Sequence, residues 1–259
     1  PCAALSALHF LRLEDDETLV MMPSDQHIPN ILALYEAFCK AEAIAEASSA
    51  IVTLGIVPVR PETNYGYIQT AGDKGPEGAR QVVSFLEKPD LETARQLVAK
   101  SDVFWNSGII VWRPSTIAEA MEKHQPALWN ALTEAGRQPE KVYASLPKIS
   151  VDYAVLEKAG NLFTLPFRYE WEDMGSWASL ERIREDDADS NGNILHGAVH
   201  AFESSHNIIF SEGRKTIVIG AEDLIIVSTA EGVLICHKSM EQNLKSIVQH
   251  VEKQGGGVG

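Results

Sequence analysis

The chain has 259 residues, of which 45% are hydrophobic and 22% charged, so it can bury a large core in one domain or two. Its net charge of -14 argues against a broad nucleic-acid surface or an anionic membrane as partner, although a few local cations suffice for a small phosphorylated ligand. Three scattered cysteines without CxxC spacing argue against a disulfide framework or a zinc site. They favour a reducing cytoplasm. No apolar run reaches the roughly 18 residues that span a bilayer, and the start does not read as a signal peptide.

Helical and strand patterns alternate along the first part of the chain, as a layered α/β domain requires. In chain order they predict helix 3–14, strand TLVMMP, helix 29–48, strands AIVTLGIVP, YGYIQTAG and RQVVSFLEKP, helix 90–101, strand WNSGIIVWRP, helices over 115–136 and 150–159, and strand NLFTLPF. The segment AIVTLGIVP is almost continuously apolar, which predicts a strand buried on both faces.

The pattern changes near residue 190, where short β-rich runs are separated by Asn, Gly, Ser and Glu. Such runs predict an all-β unit, either a small sandwich or a coiled β-solenoid, closed by the helix SMEQNLKSIVQHVEK. We therefore expect an α/β domain over 1–188, a β-rich domain over 189–253 and a disordered tail over 254–259.

A carboxylate follows the first apolar strand, in the stretch MMPSDQHI (21–28). Pro23 and Ser24 end the strand, and Asp25 is at home in such a turn for structural reasons alone. The alternative is that Asp25 lies at the carboxyl end of a sheet strand, where open α/β sheets place their ligands.

Two more carboxylates stand in an unusual setting in YEWEDMGSW (169–177), where Glu172 and Asp173 lie between tryptophans and before a glycine. One interpretation is that Asp173 caps the helix that runs on from Ser176. The other is that Asp173 meets Asp25 from a distant strand. Two carboxylates would then repel unless a cation joined them, and hard oxygen ligands suit Mg²⁺ or Mn²⁺.

Three further motifs lie in order between PSDQHI and WEDMGSW, namely FLEKP, FWNSGIIVWRP and ISVDYAVLEK. Together the five closely resemble the bacterial mannose-1-phosphate guanylyltransferases, within the sugar-nucleotide pyrophosphorylase superfamily. The likeness extends to TLGIVPVRPETNYGYI and to the β-rich segment, and so covers nearly the whole chain. It implies a Rossmann-like nucleotidyltransferase (GT-A-like) α/β fold with a mixed sheet and a C-terminal β-helix-like appendage.

The resemblance implies an enzyme that joins mannose 1-phosphate to the α-phosphate of GTP and releases pyrophosphate. Asp25 and Asp173 match the metal-binding aspartates of this family, with Mg²⁺ as the expected cation and Mn²⁺ as the alternative. The metal would bridge phosphate oxygens and neutralise charge that develops on the α-phosphorus. The sugar phosphate itself attacks, so no covalent nucleophile is needed and catalysis rests on positioning and electrostatics.

On the sugar side, Lys88 matches a lysine expected near the sugar phosphate, where an ammonium acts as a point charge. Glu87 and Asn106 match residues that bind sugar hydroxyls, and Gly66 would let the backbone approach the sugar ring. The alternatives are structural. Glu87 and Lys88 would form a charge pair at a strand end, and Asn106 would satisfy a buried backbone group.

By the same resemblance, the motif ISVDYAVLEK is expected to contribute Asp152 and Lys158 to substrate binding, with ordinary helix surface as the alternative. Trp105 and Trp112 are expected in the core.

The family's glycine-rich triphosphate loop of the GGxGxRLxPLT type has no counterpart in residues 1–20. The chain is expected to begin in mid-fold, and by itself to be impaired as an enzyme. Two other classes of function stay open at this point. One is a non-catalytic homologue that binds sugar phosphate or regulates a catalytic subunit, and the other is a pyrophosphorylase for another sugar or base. The expected partners are GTP and mannose 1-phosphate, without nucleic acid or membrane, in a cytoplasmic protein with a homodimer as its candidate assembly.

Overall fold

A computed structural model describes residues 1–72, 75–136 and 138–254. Helices among these residues are α1 (Cys2–Arg12), α2 (Ile31–Ser48), α3 (Leu91–Val98), α4 (Pro114–His124), α5 (Pro126–Glu134), α6 (Glu140–Tyr143), α7 (Val151–Ala154), α8 (Trp177–Ile183) and α9 (Glu241–Gln254). Strands are β1 (Leu19–Met21), β2 (Gln26–His27), β3 (Ile51–Ile56), β4 (Gly66–Thr70), β5 (Arg80–Glu87), β6 (Val103–Trp112), β7 (Leu162–Phe167), β8 (Glu172–Asp173), β9 (Ile194–Phe202), β10 (Ile208–Ile219), β11 (Leu224–Ser228) and β12 (Val233–His237).

The chain divides into two compact units. The first, which we name the sheet unit, comprises Pro1–Ser24 and Ile28–Trp171. The second, the solenoid unit, comprises Asp25–His27 and the chain from Glu172 onwards. The domain boundaries predicted from the sequence stay predictions. Helix α9 includes Gln254, and the rest of the expected tail lies outside the described residues.

The sheet unit is built on a six-stranded mixed sheet in the order β1-β6-β3-β7-β5-β4. Strand β3 runs parallel to β7 and antiparallel to β6, and all six of its residues are buried, as the apolar run AIVTLGIVP predicts. Adjacent side chains of β3 belong to different hydrophobic cores. Ile51 packs with α1, α4 and α5, whereas Val52 packs with α2 and α3. Alternation along a strand produces this division, so helices cover both faces of the sheet. The predicted core residues Trp105 and Trp112 are almost fully buried, which confirms that expectation.

Two predicted helices of the sheet unit are shorter than the sequence pattern indicates. The pattern over 115–136 continues across Pro126, but the structure ends α4 at His124 and starts α5 at that proline. Proline lacks the backbone N–H that a helix interior needs, and its ring clashes with the preceding turn. The expected helix over 150–159 is the single turn α7, followed by a 3-10 turn at Leu156–Lys158.

In the solenoid unit, β9, β10 and β11 stack in parallel, and β12 closes the sheet antiparallel to β11. Stacked parallel strands confirm the coiled alternative over the sandwich. Buried asparagines join successive turns of the coil. The side-chain amide of Asn207 donates to Asn193 Oδ1 and to the Ala221 carbonyl, and its Oδ1 accepts from the Leu224 N–H, each at 2.9 Å. This ladder satisfies backbone groups at the corners of the coil.

Within the described residues, no helix combines the length and the apolarity that crossing a membrane requires.

Candidate functional site

Gly66, Glu87 and Asn106 come from three separate sequence motifs and lie together in the sheet unit. Antiparallel pairing of β4 with β5 sets Gly66 directly opposite Glu87. A Cβ atom placed on Gly66 would lie 2.4 Å from Glu87 Oε2 and 3.4 Å from Asn106 Cβ. The glycine therefore leaves room for the Glu87 carboxylate beside the Asn106 side chain, which is a close approach that only glycine permits.

A chain of hydrogen bonds fixes the orientation of the Asn106 side chain. Thr53 Oγ1 donates to Asn106 Oδ1 over 3.1 Å, and the Gly108 N–H donates to the same oxygen over 3.3 Å. Asn106 Nδ2 in turn donates to Asp152 Oδ1 over 3.0 Å. Because two donors occupy the amide oxygen, the amide nitrogen is directed to Asp152, and the four polar side chains Thr53, Glu87, Asn106 and Asp152 form one cluster with Gly66, which we name the polar cluster.

Sequence reasoning missed Thr53. It is fully buried in β3, and its only signal in the sequence is that it interrupts an otherwise apolar run. A hydroxyl in a strand that is buried on both faces must find a hydrogen-bond partner. That requirement could have marked Thr53 as a supporting residue, although not which partner it finds.

Glu87 stands in an environment that disfavours its charge. Its side chain is only 15% exposed, and Lys88 Nζ lies 3.6 Å from its Oε1. Burial raises the pKa of the Glu87 carboxyl, the charge of Asp152 raises it further, and the Lys88 ammonium opposes both effects. Lys88 itself has a left-handed backbone with φ of 49° and a side chain that is 62% exposed, so its ammonium is accessible to an anion.

Lys158 is not brought into the polar cluster. It is exposed on the 3-10 turn after α7, and among the described residues no hydrogen bond or ion pair of its side chain is found. Its charge acts elsewhere: burial lowers the pKa of His124, and the charges of Lys123 and Lys158 lower it further. Its role as a substrate-binding residue stays a prediction, in contrast to Asp152, which contacts Asn106 directly.

Asp25 and Asp173 are brought together in the solenoid unit by two short strands. Strand β2 pairs antiparallel with β8, with Gln26 opposite Asp173, and the Met174 N–H donates to the Asp25 carbonyl over 2.9 Å. Asp25 is exposed and Asp173 half-buried, so both carboxylates have access to solvent. The pairing places two acidic residues from distant parts of the sequence at neighbouring positions.

The structure also shows which residue caps the N-terminus of α8. Ser176, and not Asp173, caps α8, because the Ser176 side chain accepts from the Ser179 N–H over 3.0 Å. The interpretation of Asp173 as a helix cap was therefore wrong. Glu172, its neighbour, is buried and holds Arg182 in an ion pair of 2.6 Å, which gives it a structural partner.

The donors around Asp25 and Asp173 suit one kind of metal ion. Within the described ranges, no group of three or more His, Cys, Asp or Glu side chains is placed to hold a metal. A cage built wholly of protein ligands is thus not formed by these residues. Mg²⁺ commonly takes one or two carboxylates and completes its shell with water and substrate phosphates, so two neighbouring aspartates fit it.

Two families match this chain. Residues 2–190 match the nucleotidyl transferase family, and residues 197–251 match the MannoseP isomerase/GMP-like beta-helix domain. These matches correspond to the α/β sequence pattern of the first part and the stacked strands of the last.

Individual proteins are similar over almost the whole chain. The alginate biosynthesis protein AlgA of Pseudomonas aeruginosa is 34% identical over 98% of this chain and 55% of its own length. A mannose-1-phosphate guanylyltransferase of Escherichia coli is 34% identical over 98% of this chain and 56% of its own. The chain thus spans about half the length of the curated relatives it matches.

A solved structure shares the fold. The crystal structure of a protein named mannose-1-phosphate geranyltransferase, from Thermus thermophilus, matches with a TM-score of 0.84 and 30% identity, over 96% of this chain and 73% of that one. The match to the nucleotidyl transferase family extends over residues 2–190, which is more than half of the chain. The chain belongs to the nucleotidyl transferase family.

Proposed function

We propose that the protein transfers a guanylyl group from GTP to mannose 1-phosphate, giving GDP-mannose and pyrophosphate. One observation carries the proposal: Gly66, Glu87 and Asn106, which come from three separate motifs, lie in one cluster with a lysine ammonium beside it. Such a cluster offers carboxylate and amide groups to hydroxyls and a cation to a phosphate. The name of the Escherichia coli relative supplies the substrates.

The polar cluster is assigned to the sugar. The Glu87 carboxylate accepts hydrogen bonds from sugar hydroxyls, and the Asn106 amide, already oriented by Thr53, lines the same place. Asp152 holds the amide nitrogen and adds a second carboxylate. The exposed Lys88 ammonium binds the phosphate of the sugar, for which a compact charge on a flexible stem is suited.

Asp25 and Asp173 are assigned to the divalent cation. When bound, Mg²⁺ would neutralise charge on the phosphates and orient them for in-line displacement. The two aspartates would hold it by their carboxylate oxygens, and the β2–β8 pairing sets Gln26, the neighbour of Asp25, opposite Asp173. The cysteine pattern supports a cytoplasmic setting as part of the same proposal.

The chemistry needs no protein nucleophile. An oxygen of the sugar phosphate forms a bond to the α-phosphorus of GTP as the bond to the pyrophosphate oxygen breaks. The protein residues bind and align both anions, which is how positioned charges lower a phosphoryl-transfer barrier.

A substrate panel tests the proposal. Pyrophosphate release is measured with the protein from its complete reading frame, Mg²⁺, and each combination of GTP or UTP with mannose 1-phosphate or glucose 1-phosphate. We expect the highest kcat/KM for GTP with mannose 1-phosphate and loss of activity on chelation of Mg²⁺. A preference for another pair would contradict the assigned base or sugar, and no pyrophosphate from any pair would overturn the reaction itself.

A further inference from the structure

A cavity of about 280 Å³ lies in the sheet unit, and no residue of the polar cluster lines it. It is bounded by α2, by the turn that precedes β5, and by the end of β7. Three cationic residues line it, namely Lys40, Arg80 and Arg168. In the part of the chain that the structure describes, none of these three is paired with an acidic side chain.

Arg80 is the half-buried member of this set, whereas Lys40 and Arg168 are exposed. The central carbon of its guanidinium lies 5.4 Å from the centroid of the Phe104 ring, a cation-π contact that holds the group in place. Arg80 Nε is inaccessible to water and has no hydrogen-bond partner among the described residues. Burying part of an uncompensated cation is costly, and a bound anion would offset that cost.

We propose that this cavity binds the phosphate dianion of a small hydroxylated molecule. Two guanidinium groups and an ammonium match the charge and oxygen-rich geometry of a phosphate. Glu36 and Glu77 also line the cavity. Their carboxylates accept hydrogen bonds but repel anions, so they suit the hydroxyls of a phosphate monoester better than a second phosphate group.

The ligand would join segments that are separate in the sequence. Lys40 belongs to α2, Arg80 opens β5 and Arg168 follows β7. A ligand that binds only the folded protein stabilises it by RT ln(1 + c/Kd), where c is the free ligand concentration, so the stabilisation grows with ligand concentration. Binding therefore raises the melting temperature, and neither the binding nor this readout requires catalytic turnover.

Isothermal titration calorimetry and thermal melts test the proposal, with inorganic phosphate and glycerol 1-phosphate as probes at constant ionic strength. We expect both probes to bind and to raise the melting temperature, with glycerol 1-phosphate tighter because its hydroxyls reach the carboxylates. Equal affinity for the two probes would overturn the role of Glu36 and Glu77. No binding of either probe would overturn the site.

Four variants locate the binding. Lys40→Gln and Arg80→Gln should each weaken it about tenfold, the loss expected for one charge-assisted hydrogen bond. Lys100→Gln, which changes an exposed lysine outside the cavity, should leave the affinity unchanged. Lys88→Gln separates this cavity from the polar cluster. Binding that survives Lys88→Gln but falls in Lys40→Gln supports the proposal, even if Arg80→Gln fails to fold, and the reverse pattern refutes it.

Discussion

Replacing Gly66 by alanine should displace the Glu87 carboxylate and little else. The new Cβ would lie 2.4 Å from Glu87 Oε2 and 3.2 Å from Phe85 Cζ. Carbon contacts are favourable at about 3.5 Å or more, so the carboxylate must retreat by about 1 Å. The end of a glutamate side chain can move this far without shifting the backbone. A 1 Å misplacement in a reactive site can cost about 100-fold in rate.

The assay is steady-state pyrophosphate release, with mannose 1-phosphate and GTP varied separately. We expect Gly66→Ala to raise KM for mannose 1-phosphate and to lower kcat/KM by about 100-fold, while the melting temperature changes little. Gly160→Ala is the matched control, because a Cβ at Gly160 meets no atom within 4 Å. Unchanged kinetics in Gly66→Ala would show that Glu87 does not need its observed position and would refute its assignment to the sugar.

Three further predictions concern the metal, the pH dependence and the stacked strands. Asp173→Asn should weaken the dependence of the activity on Mg²⁺ and lower kcat by orders of magnitude. Asp186→Asn, which changes an exposed aspartate elsewhere, should match the wild type in an Mg²⁺ titration. Equal behaviour of the two variants would contradict the metal assignment. Because the folded-state pKa of Glu87 lies above its ordinary value of 4.5, its contribution to stability is largest below that pH and is lost as the pH rises through the raised pKa. Chemical denaturation across pH should show this loss of stability in the wild type but not in Glu87→Gln. Over the same pH range, KM for mannose 1-phosphate should fall as the Glu87 carboxylate ionises. Parallel curves of stability against pH for the two proteins would show that Glu87 is not the source of the pH dependence. Asn207→Ala, which leaves the Leu224 N–H and the Ala221 carbonyl without their partner, should lower the free energy of unfolding of the solenoid unit by about 3 kcal/mol in urea denaturation, and a loss near zero would mean that water replaces the amide.

Local patterns predicted much of the fold because they depend on nearby residues. The run AIVTLGIVP identifies a strand that is buried on both faces, and β3 has that character. The helical pattern over 115–136 also follows a real hydrophobic face, but the break at Pro126 depends on a backbone N–H, which periodicity does not report. In the β-rich segment, the sequence left a sandwich and a solenoid open, since the choice depends on which strands stack.

The candidate site was predicted by residue type and not by geometry. Sequence motifs identified Glu87 and Asn106, but their common position beside Gly66 depends on the register of β4, β5 and β6, which is set by long-range pairing. The support from Thr53 was missed for the same reason, because its partner is 53 residues away along the chain. Lys158 shows the opposite case: its motif is present, but the short turn after α7 leaves it outside the polar cluster.

The central claim is that a guanylyl group moves to mannose 1-phosphate, and the fate of a radiolabel tests it most directly. GTP labelled at the α-phosphate or at the γ-phosphate is incubated with the protein, mannose 1-phosphate and Mg²⁺, and the products are separated by chromatography. Attack at the α-phosphorus predicts that the α label appears in GDP-mannose and the γ label in pyrophosphate. A γ label in a sugar product, or an α label that remains in GDP, would mean that another phosphorus is attacked and would contradict the nucleotidyl transfer proposed for this protein.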